Sequence, residues 1–200
     1  IDWDDVVFEV ELLKLSDVET YFEKEPGLER YRRFIQDIYR LKPYTLSMEK
    51  EELLAGCQDI FSSSERAFYI LNDVDTRFED VKDAKGNVLP LTSGSYVDYL
   101  ESADETLRKS AFENMYTAYG KVQNTMASLL NSQCKMLKYE SDLRGYPTSL
   151  EASTNKNGVP SSVYKNLIKQ VHKDIAPLHK YMKVRKKALK KDKLNMYDLY

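Results

Sequence analysis

Apolar residues recur three and four positions apart along most of this chain, the spacing that gathers side chains on one face of an α-helix. Leu28, Tyr31, Ile35, Ile38 and Leu41 form the first such stripe. Lys42-Pro43 ends it, because the residue before a proline is driven out of helical geometry. A second helix is predicted after Ser47, with Leu53, Leu54, Cys57, Ile60 and Phe61 inward. Ser62-Ser63-Ser64-Glu65 has the form of a capping box, Ser62 accepting from the third amide and Glu65 reaching back. A third helix carrying Phe68, Leu71 and Val74 should start there.

The period changes between Thr76 and Leu91. Arg77-Phe78-Glu79-Asp80-Val81 and Val88-Leu89-Pro90-Leu91 flank the turn signal Lys85-Gly86-Asn87, which predicts a short hairpin with Pro90 marking an edge. Helical spacing returns after Ser93-Gly94-Ser95. Ser102-Ala103-Asp104-Glu105 reads as a second capping box, ahead of Leu107, Ala111, Met115 and Ala118. A long helix then turns Val122, Met126, Leu129, Leu130, Met136 and Leu137 inward and stops at Arg144-Gly145-Tyr146-Pro147, where glycine supplies a left-handed cap. Residues 153–160 read as a polar loop. Pro160 opens a last helix whose stripe, Val163, Leu167, Val171, Ile175, Leu178 and Met182, keeps register across a kink at Pro177. The expected fold class is all-α, an antiparallel helical array with one small β-hairpin near residues 77–91, in two parts, 1–100 and 101–200.

The formal net charge of −2 leaves no global field to recruit nucleic acid or an anionic membrane. Cys57 and Cys134 have no C-x-x-C spacing and read as reduced core thiols, which points to a reducing cytoplasm. No apolar run approaches the ~20 residues that cross a bilayer, and the acidic opening Ile1-Asp2-Trp3-Asp4-Asp5 is unlike a signal peptide. The absence of an initiator Met, a start next to Val6-Val7-Phe8-Glu9-Val10-Glu11-Leu12-Leu13 and a stop after an apolar-aromatic string together suggest a fragment of something longer.

Candidate chemistry is sparse. His172 and His179, the only histidines, are seven apart and so about 10 Å apart along a helix. That is too far to share an ion whose bonds are about 2 Å long. Glu49, Glu51 and Glu52 fall in the first turns of a helix and complement its dipole. No nucleophile elbow, phosphate loop or dinucleotide fingerprint is present, and capping accounts for Ser62, Ser63 and Ser64. The basic run Lys180, Lys183, Arg185, Lys186, Lys187, Lys190, Lys191 and Lys193 reads as a solvated helix end whose carbonyl dipole welcomes cations, in preference to a phosphate-binding patch. Tyr31, Tyr39, Tyr116 and Tyr119 are expected at or beside the core with their hydroxyls at its rim. No catalytic, cofactor-binding or metal-binding residue is assigned.

Several strings, taken in order, resemble one family. Leu28-Glu29-Arg30-Tyr31-Arg32-Arg33-Phe34, then Lys42-Pro43-Tyr44-Thr45-Leu46-Ser47 with Glu51-Glu52-Leu53-Leu54, are similar to the amino-terminal helical region of oligoendopeptidase F. So are Leu100-Glu101-Ser102, Tyr119-Gly120, Arg144-Gly145-Tyr146 with Leu150-Glu151-Ala152, and Val159-Pro160 with Val163-Tyr164. Leu194-Asn195-Met196-Tyr197-Asp198-Leu199-Tyr200 resembles the entry to that family's catalytic domain. The resemblance runs from about Val6 to Tyr200.

What it implies is a zinc enzyme, similar to thimet oligopeptidase, with a nearly all-helical shell around a channel that admits short peptides. Its zinc site is a His-Glu-x-x-His helix with a downstream glutamate, and none of these positions has a counterpart in this sequence. The implied role of this stretch is a channel wall, with no zinc bound to it and no hydrolysis by it alone; nucleic acid and membrane are not among the expected partners. A helical protein-interaction module is the alternative.

Overall fold

The computed structural model describes residues 13–200. The opening Ile1-Asp2-Trp3-Asp4-Asp5 and the string from Val6 to Leu12 lie outside the described residues. Those described form ten α-helices: α1 (Leu15–Lys24), α2 (Arg32–Leu41), α3 (Met48–Gly56), α4 (Gln58–Phe61), α5 (Ser63–Tyr69), α6 (Ser95–Leu100), α7 (Glu105–Leu143), α8 (Ser149–Lys156), α9 (Ser161–Lys173) and α10 (Ala176–Ala188). Strands β1 (Val81–Lys82) and β2 (Val88–Leu89) pair antiparallel in the register Val81 to Leu89 and Lys82 to Val88. The fold is all-helical with one small hairpin, as the residue pattern predicts. No described helix is long and apolar enough to cross a membrane.

The chain divides into two compact units, each assembled from two separate stretches. Residues 13–59 and 135–168 make the first, and residues 60–134 and 169–200 make the second.

In the first unit Val18, Phe22, Ile38 and Tyr146 are buried. Of the stripe from Leu28 to Leu41 only Ile38 is buried and the other four are half-buried, and Pro26–Tyr31 winds as a 3-10 helix before α2 begins. The Arg32 guanidinium lies over the Phe22 ring, 4.2 Å from its centroid, and donates to Glu19 at 2.6 Å, so α1 and α2 are tied by one side chain. Tyr39 donates its hydroxyl to the Leu13 carbonyl at 3.0 Å.

The second unit has its core where the hairpin crosses the start of α7. Val81, Leu91, Leu107, Ala111 and Met115 are buried together, with Phe78, Leu89, Tyr96, Tyr99 and Tyr119 packed around them. The Asp83 carboxylate closes the hairpin turn by accepting from the Lys85 and Asn87 amides, and Gly86 takes φ +84, a conformation that disfavours any Cβ. The Ala84 amide donates to Asp104 at 2.7 Å and the Lys82 amide to Ser110 at 3.1 Å, which fastens the hairpin to the helix.

Several expected details are corrected. Ser62 has helical dihedrals (φ −81°, ψ −4°) and makes no cap hydrogen bond, because a capping side chain needs extended backbone beneath it. The cap of α7 is Asp104, which accepts from the Thr106 and Leu107 amides, rather than Ser102, whose hydroxyl accepts from the Asp104 amide. The polar loop from residue 153 is largely helix: Thr148 accepts from the Glu151 amide and starts α8, which continues to Lys156 before Gly158 turns at φ +64. Pro177 does not kink one helix but begins another. Its missing N–H and its ring cannot extend α9, which ends at Lys173.

Burial along the stripes is also less complete than the spacing predicts. Leu53, Ile60, Val74, Tyr116, Leu130 and Leu137 are exposed, as are Phe68, Val163, Leu167, Val171, Ile175 and Leu178. They range from 37% exposed at Ile175 to 69% at Leu53 and Ile60. Cys134 is exposed and Cys57 half-buried, so the expectation of two core thiols is corrected as well.

Candidate functional site

An arginine in an apolar register is the first clue to the second unit's polar centre. Arg108 occurs in the run Leu107, Arg108, Ala111, Met115, Ala118, all of them buried. A buried guanidinium demands acceptors for its donors, and here each of the three nitrogens has at least one. It donates to the carbonyls of Ser102 (2.9 Å), Ala103 (3.1 Å) and Tyr197 (3.1 Å) and to the Asp198 carboxylate (3.0 Å).

Asp198 is fully buried and sits on a single 3-10 turn, Met196–Asp198. Its carboxylate accepts from Arg108, from the Lys191 ammonium at 3.0 Å, and from the Asn195 amide at 3.0 Å in a capping box. Burial pushes the Asp198 carboxyl up, but the Asn195 N–H, Arg108, Lys191 and the Asn195 side-chain amide together hold it down at about 2. Lys191 also pairs with Glu105, while Arg185 donates to the Asp198 carbonyl at 2.6 Å. A carboxylate with its lone pairs so occupied and no proton to give at neutral pH is a clamp, not a general acid or base.

The first unit has a second clamp. Arg144, one residue beyond the end of α7, meets Glu51 of α3 in a two-pronged pair at 2.6 and 2.9 Å and donates to the Tyr44 carbonyl at 3.2 Å. Glu51 also accepts from the Leu46 amide at 2.9 Å. The Arg144 guanidinium beside it, with the Leu46 N–H, holds its carboxyl below the usual range against the opposing effect of burial. Tyr44 and Tyr146 stack face to face, centroids 3.7 Å apart, and Arg40 reaches the Asn155 carbonyl and side chain.

Between these groups lies a cavity of about 340 Å³, bordered by Leu41, Tyr44, Leu137, Ser141, Arg144 and Tyr146. The Ser141 hydroxyl, on a residue 2% exposed, is the one described buried side-chain polar atom without a hydrogen-bond partner.

The candidate groups singled out from the sequence are not brought into a reactive set. His172 lies in the last turn of α9 and His179 in α10, so the break before Ala176 separates them, and both are exposed. Among the described residues no three His, Cys, Asp or Glu side chains converge as metal ligands, so these residues do not fit a zinc centre. Ser63 donates to the Ile60 carbonyl and Ser64 to Gln133. Of the three glutamates assigned to a solvated helix start, Glu51 has the defined partner Arg144. Spacing alone passed over Arg108, Arg144 and Asp198 as functional candidates and read Lys191 as part of a solvated helix end, whereas it is paired with Asp198 and Glu105; the available signal for Arg108 was a cation inside the apolar stripe.

Residues 11–78 match the family model described as oligopeptidase F, and residues 98–200 match that of peptidase family M3. Group B oligopeptidase PepB of Streptococcus agalactiae is 38% identical over 195 residues, covering 96% of this chain and 32% of that protein. Oligopeptidase PepF of Bacillus subtilis is 37% identical over 178 residues, covering 89% of this chain and 26% of that protein. The crystal structure of oligoendopeptidase-F from Enterococcus faecium superposes with a TM-score of 0.85 at 39% identity, over 96% of this chain and 37% of that one. A putative peptidase from Chlamydophila abortus gives a TM-score of 0.89 at 27% identity, over 98% and 33%. The chain spans about a third or less of the length of these curated relatives. With both models matched in order along it, this chain belongs to peptidase family M3, as an amino-terminal portion of the oligoendopeptidase F type.

Proposed function

We propose that this chain is the amino-terminal helical lobe of a zinc-dependent oligoendopeptidase that hydrolyses short peptides. In that reading residues 1–100 form an amino-terminal helical domain and residues 101–200 the helical start of the peptidase domain. The observation that carries the reading is the ordered pair of family matches, 11–78 and 98–200, on a chain that spans about a third of its relatives. The relatives named as oligopeptidases support peptides as the substrate class.

The lobe's part is to shape access. Helices pinned across long sequence distances by Arg144 with Glu51 and Arg108 with Asp198 hold their form, and a fixed wall can exclude bulky chains by shape. Zinc belongs to the parent enzyme, where it would supply a polarised, activated water. Its ligands come from parts of the parent other than the residues described in this structure. The lobe alone neither binds that ion nor cuts peptides, and its parent works on peptides in the cytoplasm without nucleic acid or membrane as partners.

The test is to read the coding sequence past Tyr200. A His-Glu-x-x-His helix is expected, and a continuation without one overturns the parentage. For the 200 residues alone, elemental analysis should find no stoichiometric zinc and a fluorogenic peptide should stay intact. Tightly held zinc with chelator-sensitive cleavage would reverse the second half of the reading.

A further inference from the structure

Residues 180–193 carry eight cations against one acid, Asp192, in a chain whose net charge is −2. A helix terminus that welcomes cations accounts for Arg185, Lys186 and Lys187, which lie in the last turn of α10. It does not account for Lys180 and Lys183. These stand in the first half and middle of the helix, where the dipole offers them nothing.

Lys180, Lys183 and Lys187 are spaced i, i+3 and i+7, which puts them on one face of α10. All three are exposed, and none has an ion pair or side-chain hydrogen bond among the described residues. Arg185 points the other way, into the Asp198 carbonyl, and Lys191 is spent on Asp198 and Glu105. The helix therefore keeps one cationic face for its own unit and offers a second, unpaired one to solvent.

We infer that this second face, Lys180, Lys183 and Lys187 on α10, is a docking site for an acidic peptide segment. The inference deepens the peptidase reading, on which it rests, by naming a peptide class that the lobe would favour. Charge complementarity and length both support it. The three lysines span about 10 Å along the helix axis, and a strand that advances about 3.3 Å per residue presents alternate side chains roughly 7 Å apart. A stretch of four or five residues with carboxylates at alternate positions covers the stripe, and flexible lysine stems take up the mismatch.

A nucleic acid is less well served. A single strand is held by aromatic platforms beside the charge, and the tyrosine of this helix, Tyr181, is offset from the lysine face with its hydroxyl accepting from Arg185 at 3.2 Å. The face presents point charges and no planar guanidinium fork.

The experiment uses fluorescence anisotropy of the protein with a labelled hexapeptide carrying glutamate at alternate positions, beside its glutamine counterpart and an oligothymidylate of equal charge. The acidic peptide should bind at low ionic strength and be released as salt rises, and the glutamine peptide should not bind. Replacing all three residues (Lys180→Gln, Lys183→Gln, Lys187→Gln) should weaken binding about tenfold, since each exposed ion pair contributes modestly. Far-ultraviolet circular dichroism should be unchanged, because none of the three has a partner in the fold.

No binding of the acidic peptide, equal binding by the triple variant, or tighter binding of the oligonucleotide would each overturn the inference. Binding is read without turnover. A parent shown not to be a peptidase would end the functional reading while leaving the anisotropy result to decide this one, and an unbound peptide beside an active parent would do the reverse.

Discussion

Arg144 and Glu51, 93 positions apart in the chain, meet as two parallel N–H to oxygen hydrogen bonds of 2.6 and 2.9 Å. The guanidinium and carboxylate match in geometry, and both are mostly shielded from water, so the pair is stronger than an ordinary surface contact. Arg144→Lys should keep the charge, lose the second prong and cost about 1 kcal/mol, whereas Glu51→Ala should cost about 2–3 kcal/mol by leaving the guanidinium without its anion. Urea unfolding of the three proteins checks the order. Equal stability of both variants with the wild type would show that the pair contributes nothing.

The Asp198 carboxyl, held at about 2, carries a pH signature. A depressed folded-state value means that its contribution is present above the unfolded carboxylate range near pH 4. That contribution fades as the pH falls toward 2. The shift corresponds to about 2 kcal/mol at neutral pH. Asp198→Asn should lower neutral-pH stability by at least that amount and narrow the gap to the wild type as pH drops from 5 to 2. Thermal melts across that range make the comparison, and a constant gap would remove Asp198 as the titrating group.

Gly145 takes φ +78 just beyond α7, and a Cβ there would meet nothing within 4 Å. The cost of Gly145→Ala is then purely conformational, about 1 kcal/mol, with no clash to relieve. A larger loss in chemical denaturation would mean that the turn has less room than it shows.

The exposed and buried leucines should part company. Leu100→Ala, at a fully buried site, should cost about 3 kcal/mol, while Leu53→Ala, at 69% exposure, should change stability by less than about 0.5 kcal/mol. Matching losses at both positions would mean that Leu53 is covered in solution. A thiol reagent offers a parallel readout: Cys134 should react fast and half-buried Cys57 slowly.

Helix periodicity made most of the fold legible. Leu28 to Leu41, Leu107 to Ala118, the Gly145 cap and the hairpin turn at Gly86 all announce themselves in residue spacing. Where spacing misled, a local competitor won: Asp104 capped in place of Ser102, Thr148 with Glu151 nucleated an unexpected helix, and Pro177 began one. Burial was harder to read, because a stripe such as Val163 to Leu178 states which face would be covered and not whether anything covers it. The clamps were the least legible part. Arg108 and Asp198 are 90 residues apart, and only the fold brings them within 3.0 Å.

Each compact unit is stitched from two stretches, and this orders events while the chain is being made. The first unit can close once residue 168 has cleared the ribosome. The second must wait for residue 198, so the Arg108 guanidinium emerges 90 residues ahead of its anion. At synthesis rates of roughly 5–20 residues per second that is a delay of about 5–20 s. Through it, a nascent chain carries an unneutralised cation beside an apolar surface, a natural target for a holding chaperone. Protease protection of chains stalled just after residue 168, and then just after residue 198, has cleared the ribosome would show the two closures separately, or show them to be one.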